Sequence, residues 1–237
     1  MNKAKVYSPN DVDVQKMFND IAPHYDFLNH FLSVGIDKRW RKKTIKLLAP
    51  YHPKQILDIA TGTGDLAVSA IALKPEKITG VDISEEMLKI AKEKIIKKNL
   101  QNTIQFRQAA SENLPFDNSS FDAVTVAFGV RNFKNLEKGL EEIYRVIKKD
   151  GVAVILEFSV PVSFPMKQLY LFYFRNILPL IGRIVSKSKA AYTYLPETVM
   201  KIPQGKAFTT LLENKGFVKT KFVRLSGGIC TIYIAEK

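Results

Sequence analysis

The apolar run Gln55–Ala60 breaks into Asp58-Ile59-Ala60-Thr61-Gly62-Thr63-Gly64 and passes directly into the helical pattern Asp65–Leu73. No other feature restricts the architecture of this chain so tightly. Glycines between a strand and a helix let the backbone turn sharply and let a ligand come close. The next strand pattern, Lys77–Val81, ends at Asp82, 18 residues beyond Gly64. A carboxylate at that strand end can accept both ribose hydroxyls of an adenosine. The spacing does not choose the ligand. Gly62, Gly64 and Ala67 also satisfy the G-x-G-x-x-A pattern of dinucleotide enzymes, so a nicotinamide dehydrogenase stays open here.

The rest of the chain supplies the sheet. Ser84–Lys98 reads as a helix, with Ser84 as cap, Glu85 and Glu86 in the first turn and lysines in the last, which suits the helix dipole. Thr103–Arg107, Phe121–Phe128 and Val152–Phe158 read as strands, and Leu136–Lys148 and Pro203–Lys215 as helices, the last closed by Gly216. Strands alternating with helices predict a parallel sheet covered on both faces. Phe217–Leu225, a turn at Ser226–Gly228 and Ile229–Ala235 predict a terminal antiparallel hairpin. The first fifty residues read as helices. Val14, Met17, Phe18 and Ile21 form one apolar face that stops at Pro23, and a second helix runs from Trp40 to Leu48. Residues 159–200 break the alternation with an insertion rich in Phe, Tyr, Leu and Ile. At 237 residues the expectation is one α/β domain carrying two elaborations, residues 1–50 as a helical extension on the substrate side and residues 159–200 as an apolar lid or substrate insertion.

Bulk properties exclude several classes. Cys230 is the sole cysteine, so neither a disulfide framework nor a multi-cysteine metal or radical cluster is available within one chain. Cys230 reads as a buried strand residue, and no metal site is expected. The apolar stretch Leu169–Val185 is interrupted by Arg175, Asn176, Pro179 and Arg183, whereas a membrane span needs about 20 apolar residues. With a polar start at Met1–Asn10, the expectation is a cytoplasmic protein. The net charge of +13 admits anionic partners such as acidic lipid surfaces, and equally a solvated lysine-rich surface.

The ligand choice turns on Ala110-Ser111-Glu112-Asn113-Leu114-Pro115-Phe116, followed by Phe121-Asp122-Ala123-Val124. This block resembles the adenine-side loop of class I S-adenosylmethionine-dependent methyltransferases. The resemblance implies a Rossmann-like seven-stranded sheet with one antiparallel strand. Five further segments carry a narrower likeness: Phe18–Asp26 with Leu28-Asn29, Ser33–Trp40, Phe128-Gly129-Val130-Arg131-Asn132, Leu156-Glu157-Phe158-Ser159 and Tyr194–Thr198. Together they resemble the C-methyltransferases of menaquinone and ubiquinone biosynthesis, from about Val14 to the C-terminus. Ala127-Phe128-Gly129 stands where exocyclic-amine methyltransferases usually carry an Asn/Asp-Pro-Pro-aromatic run.

The resemblance implies S-adenosylmethionine as cofactor and a prenylated quinol as acceptor. Demethylmenaquinol is favoured over the methoxy-benzoquinol because the chain looks like a short bacterial version without an organelle-targeting extension. Thr63 and Asp82 are expected to contact the cofactor, and Ala110 and Ser111 to lie against its adenine. Asp58 and Gly62 shape the loop, and Gly64, Ile83 and Ala127 complete the expected cofactor site.

An acceptor ring carbon becomes nucleophilic when a neighbouring hydroxyl ionises, and a phenol of pKa about 10 held ionised near neutrality costs roughly 4 kcal/mol. Arg131, beyond the fourth strand, is the leading candidate to stabilise that phenolate directly or through water; the alternative is an ion-pairing role. Asn132 either orients the same hydroxyl or caps the next helix. Tyr25 either hydrogen-bonds the quinol or packs in the core. His24 is a proton acceptor or polar surface, and Asp26 is a support for either. In the insertion, Leu169, Tyr170, Phe172, Tyr173, Phe174, Ile177, Leu178 and Leu180 suit a groove for the prenyl tail. Lys167, Arg175, Arg183, Lys187 and Lys189 suit anionic headgroups, which implies peripheral membrane contact. An ordinary core or a homodimer contact is the competing reading of this stretch. Methylation of another small hydrophobic acceptor remains open, while nucleic acid is not an expected partner.

Overall fold

The computed structural model describes residues 13–25, 33, 35–173, 176 and 189–237, without the side chains of 24 and 189–193. Short apolar runs become β1 (Gln55–Ile59), β2 (Lys77–Asp82), β3 (Ile104–Gln108), β4 (Phe121–Ala127), β5 (Ile147–Phe158), β6 (Val218–Leu225) and β7 (Cys230–Glu236). They form one sheet in the order β3-β2-β1-β4-β5-β7-β6. Neighbours from β3 to β5 are parallel, and β7 runs antiparallel to both β5 and β6. β7 is therefore the reversed strand that the terminal hairpin predicts. The chain leaves β1 toward β2 and β3, then returns to β4 on the other side. That reversal opens a crevice at the carboxyl ends of β1 and β4, where ligands of such sheets bind.

Among the described residues the α-helices are α1 (Val14–Ile21), α2 (Ile36–Leu48), α3 (Asp65–Ala70), α4 (Glu85–Lys97), α5 (Leu136–Val146), α6 (Met166–Phe172), α7 (Lys189–Lys201) and α8 (Lys206–Asn214). Both sheet faces are covered, which is why the central strands are apolar on both sides. On one face Leu140, Ile143, Phe208 and Leu212 of α5 and α8 pack against Leu57, Val124 and Ile155. On the other, Trp40 and Leu48 of α2 pack against Ala123, Val154, Leu156 and Ile232. Cys230 is buried there, its thiol donating to the Glu157 carbonyl at 3.2 Å.

Several boundaries differ from the sequence expectation for local reasons. α2 begins at Ile36 rather than Trp40, because Gly35 enters it at a φ of 71°. β5 begins at Ile147 rather than Val152: Ile147 pairs with Phe121, and an irregularity separates that pair from the regular ladder. The terminal helix is shorter than Pro203–Lys215, starting after Gly205 and followed by Gly216 at a φ of 101°. Of the insertion, α6 and α7 are described. The expected groove and headgroup residues Phe174, Arg175, Ile177, Leu178, Leu180, Arg183 and Lys187 lie outside the described residues, as do Asp26, Leu28, Asn29, Val34 and the side chain of Lys189. Among the described residues, no helix is long and apolar enough to cross a membrane.

Ser84 performs two tasks at the start of α4. Its hydroxyl accepts from the Met87 N–H at 3.2 Å and donates to Asn19 Oδ1 at 2.6 Å, tying α1 to the helix cap. Ser84→Ala removes both contacts. Loss of an N-cap costs about 1 kcal/mol, so thermal unfolding is expected to shift down by roughly 2–4 °C in a chain of this size. An unchanged melting temperature would count against the cap.

Candidate active site

The loop after β1 is built around an internal carboxylate. Asp58 is buried and accepts from Thr61 Oγ1 at 2.6 Å and Thr125 Oγ1 at 2.7 Å, which locks the loop to β4. Burial, offset in part by these two hydroxyls, pushes its carboxyl up to about 6. Ala60 leaves the strand at a φ of 52°, and Gly64 opens α3 at a φ of 81°. A Cβ on Gly64 would also meet the Phe106 ring at 2.9 Å. The glycine is thus required both by its dihedral and by packing.

Asp82 closes the same corner from β2. Its Oδ2 accepts the Gly62 N–H at 2.8 Å and its Oδ1 the Ser84 N–H at 2.9 Å. Burial holds its carboxyl above the ordinary range, against the pull of those backbone donors. Two oxygens offer about four acceptor positions, so room remains for two hydroxyls of a ligand.

A cleft of about 440 Å³ lies at this crevice, and Asp82, Ile83, Gly62, Ala110, Ser111 and Ala127 line it. The structure thus brings together six of the expected cofactor residues. Asp58, Thr63 and Gly64 are not among the lining residues. Asp58 and Gly64 act by shaping the loop. Thr63 is buried and accepts from Lys94 Nζ at 3.2 Å, which turns it toward α4. The Ala110–Phe116 loop is anchored from α5. Arg145 pairs with Glu142 at 2.8 Å and donates to the Leu114 and Phe116 carbonyls, while Glu142 accepts the Leu114 N–H.

The acceptor-side candidates divide. Tyr25 and Asn132 line the cleft. Tyr25 meets Phe18 edge to face at 6.0 Å. His24 lies in a short helical turn after α1, and its side chain is outside the described residues. Asn132 does not cap the next helix: Asn135 is the N-cap of α5, accepting from the Lys138 N–H. The Oδ1 of Asn132 is buried and has no hydrogen-bond partner among the described residues.

Arg131, expected to reach the phenolate directly or through water, is set back from the cleft. Arg131 is buried and is not among the lining residues, because its Nη1 donates to Glu157 Oε1 and to the Phe128 carbonyl, both at 2.6 Å. Its guanidinium also lies over the Phe158 ring at 5.4 Å. Burial opposes its charge, yet Glu157, together with the nearby Tyr25 and Tyr194, keeps its pKa above the usual value. The ion-pairing alternative is therefore present in the structure, one layer behind the cleft wall.

One residue escaped the sequence reading. Glu157 received no role there, although a carboxylate inside a strongly apolar strand was the available signal. Asp13, Val14, Gln15 and Phe18 also line the cleft, so α1, within the stretch 1–50 expected on the substrate side, forms one of its walls.

The model described as the ubiE/COQ5 methyltransferase family matches residues 5–237. A Bacteroides fragilis protein named demethylmenaquinone methyltransferase is 48% identical over 94% of this chain and 92% of its own length. A Geotalea uraniireducens protein named ubiquinone/menaquinone biosynthesis C-methyltransferase UbiE is 45% identical over 94% of this chain and 96% of its own. Among solved structures, a SAM-dependent methyltransferase from Thermotoga maritima superposes with a TM-score of 0.66 at 21% identity, covering 94% of this chain and all of that one. At that identity the likeness concerns the fold alone.

Proposed function

The chain belongs to the ubiE/COQ5 methyltransferase family, and on that premise we propose that it transfers the methyl group of S-adenosylmethionine to a ring carbon of a prenylated quinol, with demethylmenaquinol as the acceptor. The name of the Bacteroides fragilis relative favours that acceptor. The Geotalea uraniireducens name keeps a second acceptor, the methoxy-benzoquinol of ubiquinone synthesis, as the alternative. When bound, the sulfonium supplies an already activated methyl group.

What this chain must add is placement and a way to hold the acceptor ionised. Asp82 suits the ribose hydroxyls, Ile83 and Ala110–Ser111 the adenine, and Gly62 a close backbone approach. Helix α1 forms one wall of the acceptor side. The observation that carries this reading is Asn132. Its amide oxygen is a buried acceptor without a partner among the described residues, in the same cleft as Asp82. A hydroxyl on the acceptor ring satisfies it, and Tyr25 offers a second polar contact. Arg131, paired with Glu157, acts through these two residues by favouring negative charge on that hydroxyl.

Incubation with S-adenosylmethionine and a short-chain demethylmenaquinol, followed by mass spectrometry, tests the proposal. One added methyl on the ring is expected; no product under reducing conditions overturns it. A parallel reaction with the methoxy-benzoquinol separates the two acceptors. Asn132→Leu keeps the volume and removes the acceptor. A hydrogen bond that the neutral hydroxyl donates to an amide oxygen contributes about 0.5–1.5 kcal/mol, so the KM for the quinol is expected to rise roughly 2- to 10-fold. S-adenosylmethionine affinity should stay unchanged by calorimetry.

A further inference from the structure

Phe128 is the first residue beyond β4, and its backbone is left-handed, with a φ of 58°. A bulky residue in that region carries strain and persists only where its surroundings hold it. Its N–H donates to the Leu156 carbonyl at 2.7 Å. Its own carbonyl collects two donors that follow it in sequence, Arg131 Nη1 at 2.6 Å and Asn132 Nδ2 at 3.4 Å. A carbonyl oxygen has two acceptor positions, so both are taken. The second bond decides the polarity of the Asn132 amide. With Nδ2 tied to Phe128, the group left for the cleft is Oδ1, the buried acceptor without a partner among the described residues.

An aromatic cluster holds this turn from behind. The Phe158 ring stacks on the Phe128 ring at 4.4 Å, with 28° between their planes. It also carries the Arg131 guanidinium at 5.4 Å, and Trp40 meets it edge to face at 6.1 Å. Trp40 is itself buried and pinned, its Nε1 donating to Ser226 Oγ at 2.9 Å. The Phe158 N–H donates to Glu157 Oε1 at 2.8 Å, the oxygen that also receives Arg131 Nη1. Neither Phe158 nor Trp40 is among the residues that line the cleft. From outside the cleft, one ring thus contacts both the residue that offers the carbonyl and the cation that shares it.

We propose that Phe158, backed by Trp40, is a positioning residue that holds Phe128 in its left-handed turn, so that the Asn132 amide faces the acceptor ring as a hydrogen-bond acceptor and not as a donor. A ring hydroxyl donates to Oδ1, whereas a ring carbonyl would set two acceptors against each other. Released from the Phe128 carbonyl, the amide is free to turn over and offer Nδ2 to an oxidised ring. The proposal rests on the quinol reading above and adds to it a residue that sets the polarity of the site without touching the ring.

Phe158→Leu removes the ring and Phe158→Tyr keeps it. The affinities of a short-chain quinol and of its quinone are measured with S-adenosylhomocysteine present, which has no methyl to transfer. A buried acceptor left facing another acceptor forfeits about 10-fold in affinity, so wild type is expected to bind the quinol about that much more tightly than the quinone. Phe158→Leu should cut the ratio to about 2-fold, and Phe158→Tyr should restore it. Asn132→Leu should abolish the ratio, and adding Phe158→Leu to it should change nothing further, because the ring acts through that amide. Hydrogen exchange of the Asn132 side-chain amide, followed by NMR in the free protein, reads the same restraint without any acceptor. About 10-fold protection is expected in wild type and Phe158→Tyr, and its loss in Phe158→Leu. If Phe158→Leu does not fold, Trp40→Phe, which loses the bond to Ser226, should move both readouts in the same direction. Unchanged protection and ratio on loss of the ring overturn the proposal. So does a Phe158→Leu that weakens both ligands equally and adds to Asn132→Leu, which is packing alone. Protection lost with the ring, in a wild type that binds no quinol, would instead sink the quinol reading and leave the restraint on Asn132 standing by itself.

Discussion

Asp82→Ala is expected to weaken S-adenosylmethionine binding by about 10²- to 10⁴-fold. The carboxylate has two acceptor positions already filled by the Gly62 and Ser84 N–H groups, leaving about two for ribose hydroxyls. Hydrogen bonds to a charged group contribute about 1.5–3 kcal/mol each, and every 1.4 kcal/mol is tenfold in affinity. The loss has a second source, since the Gly62 N–H loses its acceptor and the turn loses a strut. Calorimetry with S-adenosylmethionine and with its 2′-deoxy analogue separates the two. If Asp82 holds the ribose, the deoxy analogue binds wild type more weakly and is less penalised by the substitution. Equal penalties for both ligands would reduce Asp82 to a loop support. Tight binding of a nicotinamide dinucleotide in place of the sulfonium would remove the methyltransferase reading altogether.

The corner of the cleft between Gly62 and Asp82 was legible because local rules govern its geometry. A strand, a glycine turn and a helix must be contiguous, and Asp82 sits at the end of the very next strand. Its residues converge as soon as β1 and β2 pair, with Asp58 opposite Gly80 and Ile59 opposite Val81. The acceptor half depends on contacts remote in sequence. Arg131 and Glu157 are 26 residues apart and meet because β4 and β5 are neighbours. Periodicity reports that β5 is buried, and it is silent on which buried side chain a lone carboxylate will face. Helix boundaries failed where a single backbone feature decides them. Gly35 lengthens α2 at its start, and α5 gives way at Ile147 to the first residue of β5 without an intervening loop. The pattern Ile147-Lys148-Lys149-Asp150-Gly151 resembles a helix end followed by a turn, and the turn residues prevailed in the reading.

Glu157→Ala is expected to destabilise the fold by about 3–5 kcal/mol, because it leaves the guanidinium of Arg131 buried without its counter-charge. Glu157 is 2% exposed and Arg131 7%. The pair is therefore costly to break from one side, while replacing both partners with apolar residues of similar size is often neutral. Arg131→Met/Glu157→Leu should accordingly recover most of the stability lost by Glu157→Ala, as read from denaturant midpoints. Turnover should not recover with it. With Arg131 removed, the acceptor hydroxyl next to Asn132 and Tyr25 ionises without a neighbouring cation, and kcat is expected to fall about 10²-fold, a loss of roughly 2.7 kcal/mol. The pH dependence separates this role from mere scaffolding. A phenol deprived of the cation ionises only at higher pH, so the rate in the double variant should climb through the alkaline range where wild type has levelled off. A double variant that is stable and fully active with an unaltered pH profile would show that the Arg131–Glu157 pair holds β4 to β5 and does nothing to the reacting ring.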